Sequence, residues 1–167
     1  MQQATRSLFG VAAVFVALIV IAGWAFGVLI DARDQPNRGI EPGAEGPQRV
    51  ELERNPAGQY LVPGRINGTE VTFLVDTGAT HVAVPAEIAE QAGLERGVEV
   101  PVETAGGRTT AWRTTLERVE IGGIRAHGVD GSINPAMPGD YVLLGMTFLR
   151  RIEFSLRDDR LILETPS

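Results

Sequence analysis

Residues 8–30, LFGVAAVFVALIVIAGWAFGVLI, contain no charged side chain and no proline. Wound as an α-helix at about 1.5 Å per residue, a run of this length spans roughly 34 Å, enough to cross a bilayer with some tilt. A secretory signal core is shorter, about 7–15 residues, and ends in a small-x-small cleavage site. Here the run passes into DARDQP instead. It therefore reads as an uncleaved, single-pass transmembrane anchor over 8–30, behind a short tail, 1–7. Arg6 lies on one flank and Arg33 and Arg38 on the other, so positive charge alone does not set the orientation. The short tail favours a signal-anchor arrangement with the rest of the chain outside the cytoplasm. Gly23 and Gly27 have the spacing that lets two membrane helices approach closely. Glycine is also common in membrane helices for no such reason, and both readings stand.

Residues 31–49, DARDQPNRGIEPGAEGPQR, are rich in Pro, Gly and charge. A segment of this kind buries too little apolar surface to offset the entropy of ordering, so it is expected to be a flexible linker.

From Val50 the texture changes, and residues 50–167 read as one all-β domain with one or two short helices. VELER alternates as a half-buried strand does, and QYLVPGRI reads as a second strand, with Pro63 and Gly64 indicating an edge or a bulge. Asn67-Gly68 between two apolar runs predicts a hairpin whose returning strand is EVTFLVDTG. HVAV is a further strand, and PAEIAEQAGL a short helix opened by Pro85 and closed near Gly93. VEVPVET and TTAWRTTLERVEI form a hairpin around AGGR, and Gly122-Gly123 turns the chain into IRAHGVDGSI. YVLLGMTFLRR breaks at Gly145 into a short helix, and RIEFSLRDDRLILE is two strands around Asp158-Asp159.

The formal net charge is −6, and all 15 basic residues are Arg. They form no basic stripe, which disfavours a nucleic-acid partner. The absence of Cys excludes disulfides, thiol catalysis and zinc–thiolate sites. His81 and His127 have neither a carboxylate nor another His at ligand spacing, so no metal site is expected. Arg150-Arg151 reads as a solvated helix end, and Trp112 as packing on the hairpin rather than a substrate contact.

That leaves FLVDTGAT, residues 73–80, where an apolar strand ends on a lone carboxylate. Asp, Thr and Gly are ordinary turn residues, and a plain turn is the bland reading. The chemical reading is general acid–base catalysis. One carboxylate is a poor partner for a water attacking a peptide bond. Two that share a proton divide the work into base and acid, because like charges about 3 Å apart do not both ionise. Only one Asp-Thr-Gly occurs, and the other Asp residues fall in turns, loops and the linker. A two-carboxylate site thus requires two chains, related by a two-fold axis through Asp76 and its twin.

FLVDTGAT, the strand and short helix that follow it, the glycine turn TAGGR and the downstream LLGMTFL together resemble the retropepsin-like aspartic proteases. The similarity is to the bacterial, membrane-anchored branch with a single Asp per chain, and it covers roughly residues 50–164. It implies a closed β-barrel half, completed by homodimerisation. It makes Asp76 the water-activating catalytic residue, within an active-site loop formed by Thr77, Gly78, Ala79 and Thr80. Thr104, Ala105, Gly106, Gly107 and Arg108 are similar to the flap that closes over substrate, although many relatives carry Asn-Gly where this chain has Gly106-Gly107. Leu143, Leu144 and Gly145 resemble the apolar element that supports the active-site loop from behind. The resemblance implies an aspartic endopeptidase with no cofactor and no metal, acting on a protein or peptide substrate. It also implies a bacterial inner-membrane location with the protease domain in the periplasm. The competing reading is a catalytically inactive dimerisation or binding module that keeps the fold.

Overall fold

Two-residue turns organise the domain. In the computed structural model, which describes residues 2–43, 49–104, 107–137 and 139–166, Ile66 pairs with Thr69 around Asn67-Gly68, whose φ angles are 51° and 89°. This is the left-handed geometry that makes Asn-Gly a hairpin signal. The Gly122-Gly123 and Asp158-Asp159 turns close hairpins in the same way, between Ile121 and Ile124 and between Arg157 and Arg160. The chain divides into two units, Met1–Asp34 and Gln35–Ser167.

The first unit is helix α1 (Gln2–Asp34). It outruns the expected span 8–30 at both ends, because nothing before Pro36 opposes a helix; proline then disfavours helical backbone in the residue ahead of it. Its stretch Val16–Asp34 has a mean hydropathy of 1.9, long and apolar enough to cross a membrane, a test that a signal sequence also passes. Ile19, Val20, Trp24 and Leu29 are all more than half exposed. A surface this apolar is not one that water solvates well.

The second unit holds two sheets. Strands β1 (Arg49–Glu53), β9 (Glu153–Arg157) and β10 (Arg160–Glu164) form an antiparallel sheet in the order β1-β10-β9. The larger sheet runs β2-β3-β8-β4-β7-β6-β5, from β2 (Leu61–Ile66), β3 (Thr69–Val75), β4 (Val82–Pro85), β5 (Glu99–Thr104), β6 (Gly107–Ile121), β7 (Ile124–Asn134) and β8 (Val142–Leu144). A further pairing of β2 with β6, Arg65 to Glu120 and Ile66 to Val119, closes this sheet into a barrel with β5 attached outside the ring. Two short helices complete the unit, α2 (Ala86–Gln91) and α3 (Met146–Leu149).

Inside the barrel, Phe73, Leu116, Ile121, Ile124, Ile133, Leu144 and Phe148 are at most 1% exposed. Burying side chains of this size stabilises by about 1.5–3 kcal/mol each. Gly64 is where the ring is tightest: a Cβ there would lie 2.4 Å from the Phe73 ring and 2.5 Å from the Glu120 carbonyl. The β2 signal read as an edge or bulge is therefore a closure point, with Pro63 upstream of the residues that pair with β6.

The expected linker, 31–49, is not a free tether over its described part. Asn37 is buried, and its amide donates to the carbonyls of Glu53 (2.9 Å) and Leu61 (2.8 Å) while accepting from the Glu53 N–H (2.7 Å). Ile40 packs on the core, and the Gly43 N–H donates to the Gly122 carbonyl at 2.7 Å. Composition weighs apolar burial but misses side chain–backbone hydrogen bonds of this kind.

Candidate active site

Strand β3 delivers Asp76 to an opening in the barrel through its partner β8. The two run parallel, Phe73 opposite Val142 and Val75 opposite Leu144, and the Asp76 N–H donates to the Leu144 carbonyl at 3.2 Å. On its other side β8 pairs with β4, Ala83 opposite Leu143. The segment Leu143-Leu144-Gly145 is thus wedged between the two strands that flank the Asp76 loop.

Within the loop, the Gly78 N–H donates to Asp76 Oδ1 at 2.9 Å, and the Ala79 N–H to the Asp76 carbonyl at 3.2 Å. The first bond fixes the carboxylate; the second tightens the turn around it. Asp76 is half-buried, whereas Thr77, Gly78 and Thr80 are exposed. The Thr77 hydroxyl has no hydrogen-bond partner among the described residues.

Helix α3 braces the loop from behind. The Met146 N–H donates to the Ala79 carbonyl (2.8 Å), and the Thr147 N–H to that of Thr80 (3.1 Å). The N-terminal N–H groups that a helix leaves unsatisfied are here spent on the loop. The approach requires Gly145, where a Cβ would meet the carbonyls of His81 at 2.2 Å and Ala79 at 2.7 Å. Thr147 adds a brace not foreseen from the sequence: its hydroxyl donates to the Asp130 carbonyl (2.7 Å) and accepts from the Val82 N–H (3.1 Å). A Thr two residues beyond Gly145 is the signal that was there to be used.

Asp76 borders an open cleft of about 1110 Å³. Gly78, Ala79, Thr80 and Leu143 line it beside the carboxylate, and Pro101, Val102 and Glu103 of β5 line it from the β5–β6 hairpin. Met137 and Tyr141, from the turn-rich segment before β8, supply further apolar surface. Neither these two residues nor Pro101 and Val102 were singled out from the sequence, because which face of a hairpin meets a distant loop is a tertiary fact.

Of the expected flap, Thr104 pairs with Gly107 and Glu103 with Arg108, whose side chain forms an exposed ion pair with Glu103 at 3.1 Å. Ala105 and Gly106 lie outside the described residues. Trp112 lies on this hairpin away from the cleft, packed against the core with the Arg96 guanidinium 4.4 Å from its ring centroid. His81 borders both the Asp76 cleft and a more polar one of about 600 Å³. No group of three or more His, Cys, Asp or Glu able to hold a metal occurs among the described residues. Arg150 and Arg151 are exposed, as a solvated helix end is expected to be, and Arg151 also donates to the carbonyls of His127 and Gly128 in β7.

Residues 62–151 match the profile of the gag-polyprotein putative aspartyl protease family. Among solved structures, a retropepsin-like aspartic protease from Rickettsia conorii superposes with a TM-score of 0.57 at 28% identity, over 70% of this chain and 90% of that one. Two uncharacterized proteins are also similar. One, from the cobV 5′ region of a Sinorhizobium species, is 34% identical over 122 residues, 71% of this chain and 52% of that protein. The other, from Rickettsia prowazekii, is 30% identical over 120 residues, 67% of this chain and 49% of that protein. The chain spans about half the length of these two curated relatives.

Proposed function

We propose, on the premise that this chain belongs to the gag-polyprotein putative aspartyl protease family and is retropepsin-like in fold, that it is a membrane-anchored aspartic endopeptidase working as a homodimer. The observation that carries this is the position of Asp76: a carboxylate fixed by the Gly78 N–H, at the edge of a cleft wide enough for an extended peptide and overlooked by a hairpin.

Asp76 and the partner's Asp76 share one proton across the two-fold axis and hold a water between them. The ionised carboxylate takes a proton from that water as its oxygen attacks the peptide carbonyl carbon. The protonated one gives its proton to the carbonyl oxygen, forming a tetrahedral diol. Collapse returns a proton to a carboxylate and passes one to the leaving nitrogen as the C–N bond breaks. The nucleophile is water, so no covalent enzyme intermediate forms. The unpartnered Thr77 hydroxyl supplies a bond across the axis. Pro101 and Val102 hold the peptide against the active-site loop and exclude water from it, and the extended substrate adds a strand between hairpin and loop. Leu143, Leu144 and Gly145 keep the loop in place.

Helix α1 anchors the chain in the inner membrane, with the protease domain on the periplasmic side. Its exposed apolar surface supports this placement. Confinement to a membrane raises the effective concentration of the second chain. The faces around Gly23 and Gly27 are open, with nothing within 4 Å of an added Cβ, and supply a place for two anchors to meet.

The test is the full chain in detergent, wild type and Asp76→Asn, incubated with a diverse peptide mixture between about pH 5 and 7 and read by mass spectrometry. Cleavage by the wild type alone, with specific activity rising with protein concentration, is the expected result. A folded dimer that leaves every peptide intact would instead make the chain a binding module that keeps the fold.

A further inference from the structure

A tether sets how far a catalytic domain ranges from its anchor. A free chain over residues 31–49 would have a root-mean-square span of about 24 Å and a full extension of roughly 65 Å. The described stretch from Gln35 to Gly43 has no such freedom, because the domain holds it at several points.

Asn37 is the first. It is 5% exposed, and its three hydrogen bonds reach the end of β1 and the start of β2, at Glu53 and Leu61. Ile40 is the second, packed on the core beside the Gly122 turn. A Cβ added to Gly122 would lie 3.5 Å from Ile40 Cγ2 and 2.6 Å from Val50 Cγ2, so the stretch lies close over that turn. Pro42 and Gly43 are held last. Arg65 donates to the Pro42 carbonyl at 3.3 Å and Arg125 to the Gly43 carbonyl at 2.7 Å. The Gly43 N–H donates in turn to the Gly122 carbonyl at 2.7 Å. Gly43 has φ of 77°, and a Cβ on it would come 3.3 Å from Glu120 Oε1. That carboxylate is itself fixed by Arg118 at 3.4 Å and Arg125 at 3.2 Å. The stretch is therefore a strap over the seam where β2 meets β6, since Arg65 and Glu120 are partners in that pairing.

Only Gln35 and Pro36 lie between Asp34, the last residue of α1, and Asn37. Both are restricted. Proline fixes its own φ and disfavours helical backbone in the residue before it. The Gln35 carbonyl already accepts from the Arg38 N–H at 3.3 Å. Three Cα–Cα steps cover at most about 11 Å, at whatever angle the helix and the domain stand. A domain of about 130 residues is roughly 35 Å across, so the Asp76 cleft stays within roughly 50 Å of the helix end.

The cleft itself calls for an extended chain. It is open, and Pro101, Val102, Met137, Tyr141 and Leu143 give it an apolar lining beside Asp76. Folded surfaces seldom present an extended chain, whereas the stalk that joins a domain to its membrane span does so by its nature.

We propose that the strap over 35–43 confines the endopeptidase to the membrane surface, and that its substrates are the extended juxtamembrane segments of proteins anchored in the same bilayer. This rests on the membrane-anchored endopeptidase reading and names its substrate class. An anchored substrate is held within reach at a raised effective concentration, and a cleavage site far from the surface is out of range however tightly the cleft would bind it.

The test places the full chain and a single-pass substrate in the same phosphatidylcholine–phosphatidylglycerol vesicles. The substrate carries one cleavable sequence, taken from the peptide mixture, behind a proline-rich spacer of about 5 or about 20 residues, roughly 15 or 60 Å of polyproline helix. Each rate is divided by the rate on the same sequence as a free peptide, which reads the active site alone. The wild type is expected to cut the near site at least about tenfold faster than the far one. A Gly/Ser insertion of about 30 residues between Asp34 and Gln35 leaves every docked residue in place and adds about 30 Å of root-mean-square reach. It is expected to bring the two rates to within about threefold. Hydrogen exchange reads the strap directly: the Ile40 and Gly43 amides are expected to exchange at least about tenfold more slowly than in a free chain, and faster in Asn37→Ala.

Equal near and far rates in the wild type overturn the confinement and leave the endopeptidase standing, as do strap amides that exchange like a free chain. A chain that parts from the vesicles on flotation but still cuts the free peptide removes the anchor, and this substrate class with it. A chain that stays with the vesicles and cuts neither substrate nor free peptide removes the endopeptidase reading itself.

Discussion

The two sheets of the domain solve the same problem in opposite ways. In the barrel, β2 meets β6 and the ring has no edge within its closed part; its hairpin turns place glycine at one or both positions, and its core side chains are sealed. The β1-β10-β9 sheet stays open, ends on an unpaired strand and lets its apolar rows reach solvent. One sheet is finished by its own chain. The other leaves apolar side chains of its last strand, β9, in solvent. The chain thus sets a closed frame around Asp76 beside a sheet whose β9 edge is unpaired among the described residues.

The largest effect that tests this contrast lies in the closed sheet. Phe73 is fully buried, pairs with Val62 and Val142 and fills the space over Gly64. Phe73→Ala is expected to cost about 3–5 kcal/mol in denaturant unfolding, at every protein concentration. A loss that shrinks as concentration rises would mean that barrel stability also depends on the second copy, and the contrast between the sheets would fail.

A smaller effect lies in the brace between barrel and active-site loop. Thr147→Val keeps the shape of the side chain but removes the hydroxyl that joins Asp130 to Val82. Leaving those two backbone groups unmatched is expected to cost about 1–3 kcal/mol. Peptide cleavage by the dimer should fall further than the lost stability accounts for, because α3 also holds the Ala79 and Thr80 carbonyls. Unchanged cleavage by a destabilised variant would show that the backbone bonds alone hold the Asp76 loop.

How much of this was legible beforehand follows from how local the cause is. Asn67-Gly68, Pro85, the break at Gly145 and the Asp-Thr-Gly turn state their geometry within a few residues, and the strands and helices around them lie where the sequence puts them. The parallel insertion of β8 between β3 and β4 joins segments far apart in the chain, and nothing local encodes it. Asn37 looked like a linker residue because its value is in distant backbone groups. The cleft faces of Pro101, Val102 and Tyr141 are fixed by where the hairpin and the segment before β8 come to rest. In β9 the alternation was readable, but its exposure was not: it looks like any strand until the register shows which rows reach solvent.

The smallest effect concerns the turn between β9 and β10 of the open sheet. Asp158 and Asp159 both hold positive φ, 48° and 61°, where the barrel hairpins place glycine at one or both turn positions. Left-handed backbone costs an L-residue about 1–2 kcal/mol, somewhat less for Asp, and glycine removes that cost. Asp159→Gly also removes an exposed ion pair with Arg54 at 3.4 Å, which is worth little. The Tyr60 hydroxyl bonds to the Asp159 backbone carbonyl, so that contact survives the substitution. The net expectation is a gain of about 0.5–1 kcal/mol, read as a rise of a few degrees in melting temperature. An unchanged or lower melting temperature would show that the left-handed aspartates carry no strain for glycine to relieve.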